Sequence, residues 1–290
     1  MLLSAICDLE LVARVMVDGT LSGLHRSPFH GYSAEFHQYR HYRPGDDVKY
    51  VDWKLFARTD RLYTKQYHET TNMVAQIAID ASGSMAYCGR AGTSKIAYAR
   101  LLAAALAHLV SRQGDAIGSV VYADRVRHYI PSRTGASHLR GLLVALSKID
   151  AAGETAASAS LGRAIDLLRR RGLLVIFSDL YDEDEAVERE LKRAVRIGHE
   201  VALFHVLTAE EIDFPFRGDV EFQDLETGRS VVASPRTLAP AYRRDVTEFL
   251  ARWRSLCASH GIDYIHARTD MPPEAVLRAY LLKRAGELPR

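Results

Sequence analysis

Val74-Ala75-Gln76-Ile77-Ala78-Ile79-Asp80-Ala81-Ser82-Gly83-Ser84-Met85 is a short apolar run that stops on one carboxylate and two hydroxyls, spaced Asp-x-Ser-x-Ser. The run is of strand length and carries β-branched residues, so it reads as a strand buried on both faces, as in a parallel sheet. Its polar tail then lies at the strand's C-terminal end, where open α/β sheets hold their ligands. Alternate residues of an extended tip point the same way, so Asp80, Ser82 and Ser84 can offer three oxygens to one point. Hard cations such as Mg²⁺ take such oxygens and complete their shell with water. A lone Asp-x-Ser-x-Ser is more often a turn or helix cap. Further oxygen ligands from the right neighbouring strand are needed to reverse that.

The 290 residues are 48% hydrophobic and 26% charged, ordinary values for a globular chain long enough for one large domain and an appendage. A net charge of +2 gives no global field favouring nucleic acid or a membrane surface. Cys7, Cys88 and Cys257 lie far apart, with no Cys-x-x-Cys pair, which argues against a zinc ribbon and gives no sign of a disulfide framework. The apolar start, Met1 to Ile6, is soon interrupted by Asp8 and Glu10, so neither a signal peptide nor a membrane anchor is expected, and the expected compartment is the cytoplasm.

Along the chain, Asp8 and Gly19 bracket an expected helix over residues 8–19. Residues 20–34 read as loop. Weak alternation predicts strands at Glu35–Tyr42 and Leu62–Glu69, with a Pro-Gly-Asp turn between them. From Phe36 to Lys65 there are seven Lys/Arg and four Asp with aromatics between them. Because acids and bases are interspersed, this suits a solvated, internally paired sheet face better than a nucleic-acid surface. His37 and His41 have no carboxylate cluster beside them and are taken as structural.

After the Asp80 strand, residues 94–112 predict a long helix ended by Gly114, and residues 115–123 a second strand. Arg125–Pro131 returns as an antiparallel edge, and Ser137 is placed as the cap of an amphipathic helix. Residues 151–160 form a small-residue loop, 161–171 a helix, and 173–177 a buried strand ending in Ser178-Asp179. Asp182 and Glu185 stand in capping-box spacing ahead of the next helix. Val201–Leu207 is a strand, 209–235 an inserted hairpin, 240–260 a helix, 262–267 a strand, and a last helix follows Pro272-Pro273. This alternation predicts an α/β fold: a doubly wound, mainly parallel six-stranded, Rossmann-like sheet over residues 71–290, preceded by a smaller β-containing segment over 1–70.

In the strand order 3-2-1-4-5-6, strands 1 and 4 are neighbours at the switch point. That brings Asp179 beside Asp80 and puts Thr155, in the crossover leading to strand 4, on the same rim. Asp80-x-Ser82-x-Ser84, Thr155 and Ser178-Asp179 resemble the metal-ion-dependent adhesion site of von Willebrand factor A-type domains. Tyr42-Arg43-Pro44-Gly45-Asp46-Asp47, Asp52-Trp53, Ala57-Arg58, Thr269-Asp270-Met271-Pro272 and Tyr280-Leu281-Leu282-Lys283-Arg284 resemble a bacterial family of unknown function encoded beside MoxR-type AAA+ ATPases. The likeness runs from about residue 30 to the end. Many of that family carry N-terminal membrane helices that this chain lacks, and Glu154 stands where such loops often carry Gly.

The resemblance implies that Ser82, Ser84 and Thr155 hold the ion directly, with Asp80 and Asp179 partly through water. The ion would be Mg²⁺, or Mn²⁺ or Ca²⁺, with an open position for a partner's carboxylate. It implies a non-enzymatic interaction module working with a MoxR-type AAA+ ATPase in chaperone-like maturation or assembly. The alternative is a Mg²⁺-dependent phosphohydrolase with Asp80 as nucleophile. That layout expects a second Asp two residues on, where this chain has Ser82. Gly89–Ile96 lacks the Gly-Lys pair and Ser/Thr of a P-loop.

Overall fold

The computed structural model describes residues 2–21, 34–43, 46, 51–69, 73–153, 157–168, 170–181, 184–225 and 228–285. The chain divides into two compact units, residues 29–73 and residues 1–28 with 74–290.

The smaller unit is an antiparallel pair, β1 (Ala34–His41) and β2 (Tyr63–Glu69), with the helix α2 (Trp53–Thr59) in the connection. Asp52 caps α2: its Oδ1 accepts from the backbone N–H groups of Lys54 and Leu55, both at 3.0 Å, and its Oδ2 accepts from the Tyr39 hydroxyl at 2.9 Å. Asp46 accepts from Arg40 at 2.8 Å and from the Arg43 backbone at 2.8 Å, pairing acid with base inside the segment. The helix was not legible in the alternation-based reading, because Asp52-Trp53 carries a cap rather than a strand pattern. His37, Pro44, Gly45 and Asp47 lie outside the residues or side chains described.

The larger unit is α/β, with helices on both faces of a six-stranded sheet. Its strands are β3 (Val74–Asp80), β4 (Ala116–Tyr122), β5 (Val126–Arg133), β6 (Leu173–Ser178), β7 (Glu200–Leu207) and β10 (Asp263–Arg268). Their order is β10-β7-β6-β3-β4-β5. All neighbours are parallel except β4 and β5, which are antiparallel. This is the expected doubly wound order with β3 and β6 at the switch point. β8 (Val220–Gln223) and β9 (Ser230–Ala233) form a separate antiparallel hairpin.

Ala78, Val120, Leu174, Ile176 and Leu203 pack on one face of the sheet. Against them lie α5 (Ala157–Asp166), α6 (Asp184–Arg196) and α8 (Pro235–Ser259), through Leu161, Ile165, Leu191, Trp253 and Cys257. On the opposite face α3 (Lys95–Arg112) crosses β3, β4 and β7. α1 (Leu2–Leu21), α4 (Ala136–Ser147) and α9 (Pro273–Arg284) pack with α3. There Phe177 stacks on Phe204 at 4.7 Å, with Tyr280 edge-on to Phe204 at 5.2 Å. Each aliphatic side chain buried this way contributes about 1.5–3 kcal/mol.

Several boundaries differ from the sequence expectation. α1 runs through Gly19, where Thr20 donates to the Met16 carbonyl at 2.7 Å, and it groups with the larger unit. Gly135, at φ 103, occupies the N-cap position of α4, and Ser137 lies inside the helix, so the expected Ser137 cap is not used. α5 ends at Asp166 rather than continuing to residue 171, because the chain must extend before Gly172. A Cβ there would lie 2.0 Å from the Val74 carbonyl oxygen. α8 begins at Pro235, five residues before the expected start, with Pro240 inside the helix. Asp182 lies outside the described residues. Among the described residues no helix is long and apolar enough to cross a membrane.

Candidate metal centre

Strand alternation distributes the polar tips. Ala78 and Ile176 face the α5–α6–α8 layer, so Asp80 and Ser178, two residues on, point the same way. Asp179 falls on the other side, towards α3. The sheet therefore splits its two strand-end carboxylates between layers.

Asp80 and Ser82 are buried, and Ser84 is half-buried. Asp80 Oδ1 accepts from the Ser82 backbone N–H at 2.9 Å, a local turn bond. Its Oδ2 accepts from the Ser178 hydroxyl at 2.7 Å, and that hydroxyl oxygen accepts from the Leu180 N–H at 3.0 Å. The chain then folds into a 3-10 turn over Gly83–Ala86. Ser82 occupies the cap position of this turn, yet its side chain makes no capping bond. Instead the Ser82 and Ser84 hydroxyl oxygens lie 3.1 Å apart.

The loop from residue 151 is fastened to this turn. Gly83 N–H donates to the Gly153 carbonyl at 2.9 Å, and Ala152 N–H donates to the Ala81 carbonyl at 3.1 Å. Arg127 donates to both the Ala81 and Ala152 carbonyls, at 3.2 and 2.6 Å. Thr155 and Glu154, two and one residues beyond Gly153, lie outside the described residues.

Asp179 has a partner that the sequence reading did not identify. Lys95, the first residue of α3 and fully buried, donates from Nζ to Asp179 Oδ2 at 2.7 Å and to Glu211 Oε1 at 2.5 Å. Glu211 belongs to the short helix α7 (Ala209–Asp213), where its Oε2 closes a capping box with Thr208. The Tyr181 ring centroid lies 4.9 Å from the same ammonium. Burial works against the Lys95 charge, but Asp179 and Glu211 outweigh it and raise its pKa. Only the position of Lys95 at the start of the expected 94–112 helix was visible in sequence, since its partners lie 84 and 116 residues away.

Beneath the rim, His205 Nε2 meets the Asp179 carbonyl at 2.9 Å and its Nδ1 meets the Tyr264 hydroxyl at 2.8 Å. A carbonyl only accepts, so Nε2 carries the proton and Nδ1 accepts from Tyr264. Burial pushes the His205 pKa down to about 3, so the ring is neutral. Leu180 follows at φ 59, a left-handed conformation costly for a branched side chain and held here by its burial and its bond to Ser178.

No Lys or Arg pairs with Asp80 among the described residues. Burial, then the neighbouring Asp179 charge, push its pKa up to about 6 against the hydrogen bonds from Ser82 and Ser178. A buried carboxylate without a counter-charge, beside two facing hydroxyls, is a donor set that suits a hard cation. Among the described residues no cluster of three or more His, Cys, Asp or Glu could hold a metal, so any ion here depends on the hydroxyls.

Residues 38–253 match the family model described as "Protein of unknown function DUF58". An uncharacterized protein of Mycobacterium tuberculosis (strain H37Rv) is 31% identical over 296 residues, spanning 99% of this chain and 91% of that protein. An uncharacterized Mycobacterium bovis protein gives the same figures. Among solved structures, an aerotolerance-related membrane protein from Bacteroides fragilis aligns with a TM-score of 0.50 and 17% identity, over 74% of this chain and 100% of that one. The conserved hypothetical protein BatB from Bacteroides thetaiotaomicron gives a TM-score of 0.49 at 18% identity, over 74% and 99%. The Bacteroides fragilis protein shares the fold.

Proposed function

The chain belongs to the bacterial DUF58 family of unknown function, and from that premise we propose that it is a von Willebrand factor A-like, metal-dependent interaction module. Ser82 and Ser84, with Thr155, would hold a divalent cation, Mg²⁺ before Mn²⁺ or Ca²⁺, and Asp80 and Asp179 would support it. When bound, the ion supplies a positive centre with a position open to an Asp or Glu of a protein partner. A MoxR-type AAA+ ATPase is the partner that the sequence resemblance favours, in chaperone-like maturation or assembly, with the cytoplasm as the compartment.

One observation carries the reading. Asp80 is buried, without a counter-charge among the described residues, beside a turn whose two serine hydroxyls face each other at 3.1 Å instead of capping it. Those hydroxyls bond each other and Asp80 and cap no helix. A phosphohydrolase with Asp80 as nucleophile has less support, because both Asp80 oxygens accept hydrogen bonds and Asp80 is only 2% exposed. Position 82 is a serine, which offers no second acid.

Mg²⁺ and Mn²⁺ calorimetry tests the site, with Asp80→Ala and Ser82→Ala expected to weaken binding strongly. Capture of the AAA+ ATPase should be lost in EDTA and in both variants. Affinity unmoved by both substitutions removes the site, and capture that survives chelation removes the bridging role.

A further inference from the structure

Lys95 stands where local physics disfavours it. It opens α3, and a cation at a helix N-terminus faces the positive end of the helix dipole. It is also fully buried, which for an ammonium is costly without compensation. The compensation is complete in geometry: two carboxylate oxygens at 2.7 and 2.5 Å and an aromatic ring at 4.9 Å. Those carboxylates come from the tip of β6 and from α7, so one ammonium ties the metal rim to the helix that precedes the β8–β9 hairpin.

The arrangement also fixes the charge of the rim. Asp80, Asp179 and Glu211 bring three negative charges and Lys95 returns one positive charge, while Glu210, buried beside Glu211 and bonded to the Arg90 N–H, adds a further negative charge. Asp80 has no cationic partner among the described residues, whereas Asp179 is held by Lys95 through one oxygen, which leaves its Oδ1 facing the Tyr181 N–H at 3.4 Å.

We propose that Lys95 is a built-in counter-cation that sets the ion affinity of this rim, holding Asp179 and Glu211 in place when no metal is bound and limiting how tightly a divalent ion binds. The inference rests on the metal-dependent reading above. Lys95 acts by charge and positioning and is not itself a ligand to the ion.

The test combines melting in EDTA with Mg²⁺ and Mn²⁺ calorimetry on the full chain. Lys95→Met leaves the buried Asp179 and the part-buried Glu211 uncompensated, so its Tm in EDTA should fall by about 6 °C or more, and millimolar Mg²⁺ should restore most of the loss. Its ion affinity should rise by about tenfold or more. Adding Glu211→Gln to that variant restores the charge balance and should return the affinity to within about threefold of wild type. A purely steric role for Lys95 gives no such return. Should Lys95→Met fail to fold, Glu211→Gln alone decides the matter: it removes one negative charge without touching a proposed ion-holding residue and should weaken ion binding by about tenfold. Wild type that binds the ion together with an unchanged Lys95→Met, or an unchanged Glu211→Gln where Lys95→Met does not fold, overturns this inference alone. Absence of binding in every folded protein overturns both it and the ion reading.

Discussion

Ser178 Oγ donates to Asp80 Oδ2 at 2.7 Å, joining the tips of two parallel strands across 98 residues of sequence. The bond exists because β3 and β6 are neighbours at the switch point and because both residues lie on the α5–α6–α8 face. It holds Asp80 in position without neutralising it. Asp80 is therefore a buried carboxylate whose charge costs stability.

Asp80→Asn should consequently stabilise the metal-free protein at pH 7 while abolishing Mg²⁺ binding. The sign follows from the Asp80 pKa, raised to about 6 in the fold against about 4 for the unfolded chain. Between those values the folded state holds the extra proton, so wild-type stability in EDTA should fall as pH rises from about 4 to about 6 and level off above. At about 1.4 kcal/mol per pH unit the loss is at most a few kcal/mol. Melts of wild type and Asp80→Asn across this range check it; parallel curves would remove the claim that Asp80 is the strained group.

The buried strands and their order were legible in sequence because parallel strands read as continuous apolar runs, and once β3 and β6 were placed the switch-point rule brought Asp179 to the rim. What stayed hidden was chemistry joined only by tertiary structure. Lys95 follows a serine cap as any helix-opening residue does, and Glu211 lies in a stretch read as part of an inserted hairpin. Ser178 was visible as a strand-end residue, but its role depends on which face it occupies. α2 was missed for the opposite reason: its cap is local, yet seven residues are too few to show a helical period.

Gly172→Ala should be among the most damaging single-methyl substitutions in the chain. The new Cβ would lie 2.0 Å from the Val74 carbonyl oxygen, which is backbone at the start of the central strand and cannot swing aside. A loss of roughly 3 kcal/mol or more is expected, against about 1 kcal/mol for an ordinary point mutation. Gly92, where nothing lies within 4 Å of the added carbon, is the control for crowding: its cost comes only from φ 76. Denaturant midpoints for the two variants should separate clearly.

Asp52→Ala should loosen the β1–β2 unit locally. It removes the acceptor of two α2 N–H groups and of the Tyr39 hydroxyl. Loss of such a cap costs about 1 kcal/mol, and the Tyr39 bond adds a similar amount. Amide exchange at Lys54 and Leu55 should accelerate by about tenfold or more, with exchange in β3 and β6 unchanged. Equal acceleration in both regions would mean that the segment does not behave as a separate unit.

Tyr264 and His205 form a relay ending on the Asp179 carbonyl, and the two residues should separate under mutation. Tyr264→Phe leaves His205 Nδ1 buried without its donor, a cost of about 1–3 kcal/mol, but keeps the Nε2–H bond that positions the tip of β6. Its ion affinity should stay near wild type. His205→Phe fills a similar volume and keeps the edge-on packing with Phe249 at 5.3 Å, but it withdraws the donor to the Asp179 carbonyl. The Asp179 backbone is then free to shift, and because Lys95 holds only one carboxylate oxygen, the side chain shifts with it. Ion binding should weaken about tenfold, the low end of the range when a supporting hydrogen bond behind a ligand is removed. Calorimetry on both variants at matched folded fractions gives the answer: equal affinities would show that the relay stabilises β7 and β10 without steering the rim.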